Sequence, residues 1–421
     1  MSAAERILEE FVRQATPGAA RHAAAQALRE HDLPTRHDEN WHYTNLRTLE
    51  QVPRFAPEAA SENTQPLPPL PPQLPGFERL VFVDGRLQRD VSAAALTQLD
   101  RGQDDPGADG SDPFQTAGDG RLGLLARMFA PSPLSIRLRG RRALELVSIV
   151  SAEPAPSYTD LSLTLEAGAH LDLVERYIGV LEPVAAGAVK LGCSSMRLHL
   201  HEGAQLVHTR VQQAGEHALH YETLSAQLAG GANYQLQLLS AGAASSRSST
   251  QIRLLGRQSS VNVHALAAAR AAHYADSQIT VLHEAPGTRS HVLFRGIASE
   301  RAHLACTADV QVSALACGSQ VLQSLRGLID GKGAEVNLRP RLTINTDDVQ
   351  ASHGATTGRL DDDLLFYLLS RGLDPAMARS LLKWAFLGET LGVVGPAELR
   401  HAAELAVAAR LSDTPAAELL Q

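Results

Sequence analysis

The sequence predicts a mainly β chain, with a parallel β-helix (solenoid) over the middle of its 421 residues and helical regions on either side. Three observations point there. From about Leu144 to Ile344, short stretches such as Leu161-Leu163-Leu165, Met196-Leu198-Leu200, Leu236-Leu238 and Val336-Leu338 alternate apolar and polar residues, the period of a strand with one buried face. Turn residues precede strands at Gly168-Ala169, Gly203-Ala204, Gly231-Ala232, Ser259-Ser260, Gly287-Thr288 and Gly333-Ala334, and the middle ones recur at roughly 28 residues. Both flanks carry helical spacing instead. One coil cannot bury its apolar face alone, so a persistent step means coils stacked on a shared interior. A jelly roll or two-sheet sandwich competes, and it would show hairpin turns rather than a fixed step.

In chain order, Ala3 to Gln14 puts Ile7, Leu8 and Phe11 on one helix face, and Ala19 to Glu30 forms a second helix after a break at Pro17-Gly18. Trp41 and Tyr43 follow as concentrated aromatics in a chain that is only 4% aromatic, which suits a local anchor for this segment. Gln65 to Pro75 is a polyproline-like spacer, expected to run over the surface. Leu80 to Val83 then enters a tight hairpin at Asp84-Gly85, Asp100 to Gly120 reads as a mobile loop, and Leu122 to Phe129 as a short helix. These textures divide the chain into an N-terminal helical region (1–64), a Pro-rich linker with short strands and a loop (65–143), the β-helix core (144–358) and a C-terminal helical domain (359–421). A solenoid must have its ends covered or paired, and the terminal helical segments are the natural caps.

Composition removes several function classes. Lys plus Arg number 38 against 46 Asp plus Glu, a net charge of −8, so no basic footprint for nucleic acid exists. The most apolar window, Tyr177 to Gly192, is interrupted by Glu182, Pro183 and Lys190, which argues against a membrane span, and the N-terminus lacks the layout of a signal peptide. Cys193, Cys306 and Cys317 form no CxxC pair and read as small buried core residues in a reducing compartment. No nucleophile elbow, phosphate loop or zinc spacing occurs. His199 and His201 would share a strand face, as surface residues commonly do.

The stretch from Asn345 to Gly372 (NTDDVQASHGATTGRLDDDLLFYLLSRG) is the junction between strands and helices. A buried-looking strand with Leu342 and Ile344 leads into Asp347, Asp348 and His353-Gly354, residue types that suit a turn aiming polar groups outward. At such a turn His353 is chemically able to contact iron or a soft metal. Asp361 to Asp363 start a helix whose apolar face holds Leu364, Leu365, Leu368 and Leu369, and Gly372 fits the position past its end. Asp374-Pro375 starts another helix, and Pro396 to Leu411 gives a third.

This stretch closely resembles the C-terminal signature of the SufB/SufD family of iron–sulfur cluster assembly proteins. His283 to Gly296 (HEAPGTRSHVLFRG) and Asp330 to Pro340 (DGKGAEVNLRP) resemble the preceding family segments, and Glu39-Asn40-Trp41-His42-Tyr43-Thr44 resembles an N-terminal hallmark of the SufD branch. The resemblance implies a right-handed parallel β-helix between helical domains. It further implies a non-catalytic, cytoplasmic subunit that pairs edge to edge with a SufB-like subunit and binds a SufC-like ATPase through its C-terminal helices. ATP-driven dimerisation of that ATPase would remodel the interface where a cluster is built. By position, His353 would touch iron or the nascent cluster at that interface, while Leu364, Phe366, Tyr367, Arg371 and Trp384 would hold the ATPase.

Many relatives carry a cysteine where this chain has Ala351, so any sulfur ligands would come from the partner. The isolated chain is then expected to hold no cofactor stably, with a transient iron–sulfur cluster at the complex interface possible, and a homodimer is open to it when alone. Two other readings remain at this point. One is a self-associating SufB-like scaffold. The other is a β-helix carbohydrate-active enzyme, which would need acidic pairs on neighbouring coils that the sequence does not display.

Overall fold

A computed structural model describes residues 2–14, 18–44, 46–57, 67–101, 112–116, 118–151, 155–179 and 189–411. The loop expected over Asp100 to Gly120 and the apolar window from Tyr177 lie partly outside these residues. The N-terminal part holds helices α1 (Ala3–Gln14) and α2 (Ala19–His31), then 3₁₀ turns at Glu39–Trp41 and Leu46–Gln51. Next come β1 (Glu78–Val83), β2 (Arg86–Leu87), α3 (Arg89–Gln98), β3 (Asp100–Arg101), α4 (Pro113–Thr116) and α5 (Gly123–Phe129). The long strand series runs β4 (Leu134–Leu138), β5 (Arg141–Val150), β6 (Ser157–Leu165), β7 (His170–Gly179), β8 (Lys190–Leu200), β9 (Gln205–Gln213), β10 (Ala218–Leu228) and β11 (Asn233–Ser240). It continues through β12 (Ser245–Leu254), β13 (Ser260–Ala269), β14 (Tyr274–His283), β15 (Arg289–Ser299), β16 (His303–Val312), β17 (Ser319–Asp330), β18 (Glu335–Ile344) and β19 (Val349–Gly358). Helices α6 (Asp362–Ser370), α7 (Pro375–Leu391) and α8 (Ala397–Ala408) complete it.

From β4 onward, successive strands alternate between two sheets, and each pairs in parallel with the strand two places on. One sheet has 10 strands in the order β19-β17-β15-β13-β11-β9-β7-β5-β1-β2; the other has 9, in the order β18-β16-β14-β12-β10-β8-β6-β4-β3. This is the parallel β-solenoid expected from the repeating step. Leu206, Tyr234, Val261, Ser290, Val321 and Ala351 form one column of paired positions down the larger sheet. The shared interior holds the alternate residues of both sheets, among them Leu171, Leu198, Leu224, Leu228, Val263, Phe294 and Val310. Gly168, Gly203, Gly231 and Gly287 all have φ between +66 and +69, so the turn residues mark corners that favour glycine.

The helices lie elsewhere than expected. Rather than capping the ends, the terminal helical segments cover the two broad outer faces. Ile7, Phe11, Leu28, Trp41, Leu125 and Phe129 pack on Tyr158, Leu191, Cys193 and Tyr221 of the 9-stranded sheet. Leu387, Leu391, Leu399 and Val407 pack on Val174, Val211, Leu266 and Ile297 of the 10-stranded sheet. The polyproline-like stretch is pinned to that second face as well: Arg79 donates to the Pro71 and Pro72 carbonyls at 2.9 and 2.8 Å, and Leu74 is buried. The cap on the first coil is α3, whose Ala95, with Leu99 just beyond it, joins the interior.

Trp41 anchors its segment, as its bulk suggests. It is buried, with the Arg247 guanidinium 3.7 Å over its ring. Arg247 also donates to the Asn40 carbonyl at 2.9 Å and pairs with Asp276, which in turn accepts a hydrogen bond from the Thr44 hydroxyl. Burial of a guanidinium is tolerable only because carboxylate, carbonyl and ring all face it.

Candidate functional site

The last coil, β18 and β19, is the least covered part of the solenoid. Both strands pair on one side only, at the ends of their sheets. The residues predicted as a turn around His353 instead form the strand β19, in register with β17, while the turn is confined to 345–348. Its sequence, VQASHGATTG, has no apolar alternation, so the strand exists because β17 offers a free ladder rather than through its own propensity. Of the two residues expected to be buried just before it, Leu342 is half-buried and Ile344 exposed, since no further coil lies over them.

His353 sits opposite Gln323 on the face of β19 that continues the interior column of Val321 and Leu325, and it is exposed. Gln323 is buried and donates to the Arg341 carbonyl of β18 at 3.1 Å, tying the two edge strands together beneath the histidine. Ala351 lies two residues before His353, beside Val321. Among the described residues no three His, Cys, Asp or Glu side chains converge as a metal-ligand set, so His353 offers one imidazole on an open strand edge. Cys193 and Cys306 are buried, one under the N-terminal helices and one in the interior, and burial pushes both thiols up. Cys317 departs from expectation: it is exposed, on the turn before β17.

Beyond β19, Asp361 caps α6 by accepting from the Asp363 and Leu364 amides at 2.9 and 3.1 Å, and Asp362 and Asp363 complement the positive helix end. Gly372, at φ +91, turns the chain into α7, where Asp374 repeats the cap and Pro375 takes the first helical position. No residue of α6 is buried. Phe366 is 72% exposed, and Leu364 and Tyr367 are each 52% exposed. Arg371 lies 5.1 Å over the Tyr367 ring, so Leu364, Phe366, Tyr367 and Arg371 belong to one uncovered helix and its end. Trp384 is separate: it is half-buried on α7 and packs against the C-terminal apolar cluster.

Sequence reasoning passed over the charged side chains that hold this end in place. Glu39 pairs with Arg339 and Arg341 of β18 at 3.2 and 3.1 Å, and the Asn40 side chain accepts from Arg341 at 3.1 Å. Lys383 of α7 pairs with Asp330 at the end of β17, and Glu389 with Arg295 of β15, each at 2.5 Å. It also missed a polar section inside the middle coils. There His208 bridges Glu175 and Tyr234 at 3.0 and 2.9 Å, Arg210 pairs with Glu175 at 2.5 Å, and His220 meets Glu222 at 2.9 Å. Burial opposes ionisation of Glu222, yet Arg210 and His220 beside it pull its carboxyl down to about 2. The signal was available: Glu175, Arg210 and Glu222 fall where the strand alternation points inward.

No helix among the described residues is long and apolar enough to cross a membrane. The iron–sulfur cluster assembly protein SufD of Escherichia coli strain K12 is 27% identical over 386 residues, covering 86% of this chain and 86% of that protein. A SufBD family iron–sulfur cluster assembly protein of Synechocystis is 26% identical over 417 residues, covering 90% and 88%. Another from Mycobacterium tuberculosis is 32% identical over 180 residues, covering 41% of this chain and 45% of that one. The model of the family described as "SUF system FeS cluster assembly, SufBD core domain" matches residues 148–386, the span from β5 into α7. With more than half of its length matched, this chain belongs to the SufBD family of the SUF iron–sulfur cluster assembly system.

Proposed function

We propose that this chain is a SufD-type, non-catalytic subunit of a cytoplasmic SUF complex, which pairs with a SufB-like subunit through the edges of β18 and β19 and offers α6 to a SufC-like ATPase. The observation that carries the reading is the combination at one end of the molecule: two strands with unpaired edges, the second of which leads into a helix that buries no residue fully and exposes Leu364, Phe366 and Tyr367. An unpaired edge satisfies its backbone groups by adding a strand, and an apolar helix face leaves water by entering a groove. The cluster is cargo in this scheme. It forms transiently where the two edges meet, with His353 as this chain's contact and thiolates from the partner, because Ala351 supplies none.

Reconstitution of the three-subunit complex tests both halves. His353→Ala is expected to lower the yield of assembled cluster, read by its absorbance, while the complex still elutes as one species. Undiminished yield removes His353 from the site. Replacing Phe366 and Tyr367 with alanine is expected to weaken capture of the ATPase and leave pairing with the SufB-like subunit intact; unchanged capture places the ATPase elsewhere.

A further inference from the structure

A load on the docking helix needs a route into the sheets, and α7 supplies one; the inference rests on the partner reading above. α6 buries no residue fully: Leu365, Leu368 and Leu369 are half-buried, and it connects to the rest of the chain through the segment at 359–361, the Gly372 turn and its packing on α7. α7, by contrast, is fastened to the last coils. Its Leu387 and Leu391 belong to the same buried cluster as Leu266, Ile297 and Leu328, and two ion pairs tie this helix to the strands. The Lys383 Nζ, sealed from water, lies 2.5 Å from the Asp330 carboxylate, which ends β17. Glu389 meets Arg295 of β15, which also donates to the Phe294 and Ser324 carbonyls at 2.9 and 3.3 Å. The strand-side partners come from the two family-like stretches that have had no role so far: Arg295 lies in HEAPGTRSHVLFRG, and Asp330 opens DGKGAEVNLRP. β17, in turn, carries β19 along that strand's whole length.

The two pairs are unequal. Glu389 is largely exposed, so water screens its bond to Arg295 and can replace it. Lys383 is buried, so sliding α7 along β17 would draw its ammonium away from the Asp330 carboxylate where water does not reach to take that place. We infer that Lys383 is a positioning residue that locks α7 to β17, so that ATP-driven movement of the partner on α6 displaces the open edge at β19 instead of sliding the helix over the sheet.

The test uses the full complex of this chain with its SufB-like and SufC-like partners. Gln350, exposed on β19, is changed to cysteine in a Cys317→Ser background and joined to the SufB-like subunit by a thiol–amine cross-linker, with and without MgATP. MgATP is expected to change the cross-linking yield when Lys383 is present. Lys383→Met, and the charge-free Lys383→Met/Asp330→Asn pair, are expected to abolish that change while ATPase capture and ATP turnover persist. Lys383→Arg is expected to restore it. The double variant remains informative if Lys383→Met alone fails to fold, because it does not leave the Asp330 carboxylate facing a missing ammonium. A full MgATP response in the double variant overturns the role of Lys383 and leaves the partner reading standing. Failure of Lys383→Arg to restore the response reduces Lys383 to packing and overturns it too. Absence of any MgATP response with Lys383 in place overturns this inference and the ATP-driven part of the partner reading together.

Discussion

The first coil of the solenoid and the last are built on the same two sheets but are finished in opposite ways. At the first coil, each sheet stops in a two-residue antiparallel strand, β2 on one and β3 on the other. α3 then closes the end, with its Ser92 hydroxyl accepting from the Val81 amide at 3.0 Å, and Leu80 to Val83 are all buried. At the last coil there is no antiparallel stop and no helix over the end among the described residues, and β19 has no buried residue. A free parallel edge invites pairing with any strand that reaches it, so proteins cover such edges unless pairing is their use. The sealed end shows that this chain has the means to close a coil. The other end is left open, with small and polar residues along β19 and a largely exposed helix directly after it, which is the arrangement the proposed pairing requires.

Matched substitutions at the two ends can break this comparison. The largest difference is expected between Phe82→Ala and Phe366→Ala. The first empties a site in the sealed interior and should cost about 3–5 kcal/mol in denaturant unfolding, whereas the second should stay within about 0.5 kcal/mol because the ring is already in water. Comparable losses would mean that α6 is packed and the end is closed.

Glycine sharpens the contrast next. Gly85, at φ +78 in the β1–β2 hairpin, would place a Cβ 2.1 Å from the Tyr158 carbonyl oxygen, so Gly85→Ala should cost about 2 kcal/mol or more. Gly354 on β19 has nothing within 4 Å of its added Cβ, and Gly354→Ala should be neutral or slightly stabilising. Equal thermal shifts for the two would contradict an open last coil.

A further prediction concerns pH and a buried histidine between the two ends. His283 is fully buried at the end of β14, bonded to the Thr288 and Ser290 hydroxyls at 2.7 Å each, and burial pushes its imidazole down to about 4. The folded chain keeps this ring neutral while the unfolded chain protonates it near pH 6.5. Its stabilisation is therefore whole above about 6.5 and is lost as pH falls toward about 4. Relative to wild type, His283→Gln should lose roughly 2 kcal/mol less stability between about pH 7 and about pH 5. Identical pH profiles would show that His283 does not stay neutral in the folded state.

The legible parts of the fold were those that depend on local pattern. Leu161-Leu163-Leu165 and its successors announced strands because every second residue must be apolar to line a shared interior. The recurring glycines announced corners because their backbone angle disfavours a side chain. The caps at Asp361 and Asp374 were equally readable, each being complete within three residues. Less legible was β19, whose pairing comes wholly from β17, and Cys317, whose exposure depends on a turn at the rim. Lys383–Asp330 and Glu39–Arg339 join residues far apart in sequence, and no spacing rule connects them.

By itself, the amino-acid sequence determined the stacked β architecture, the flanking helices and the stretch around His353 where they meet, since periodicity, turn chemistry and capping act over a few residues. Which faces the helices cover, which end of the solenoid is sealed, and which charges bind α7 to the last coils were decided only by the tertiary structure. Those outcomes depend on how much apolar surface each distant segment can bury and on which buried charges find partners. Neither quantity exists until the coils have stacked.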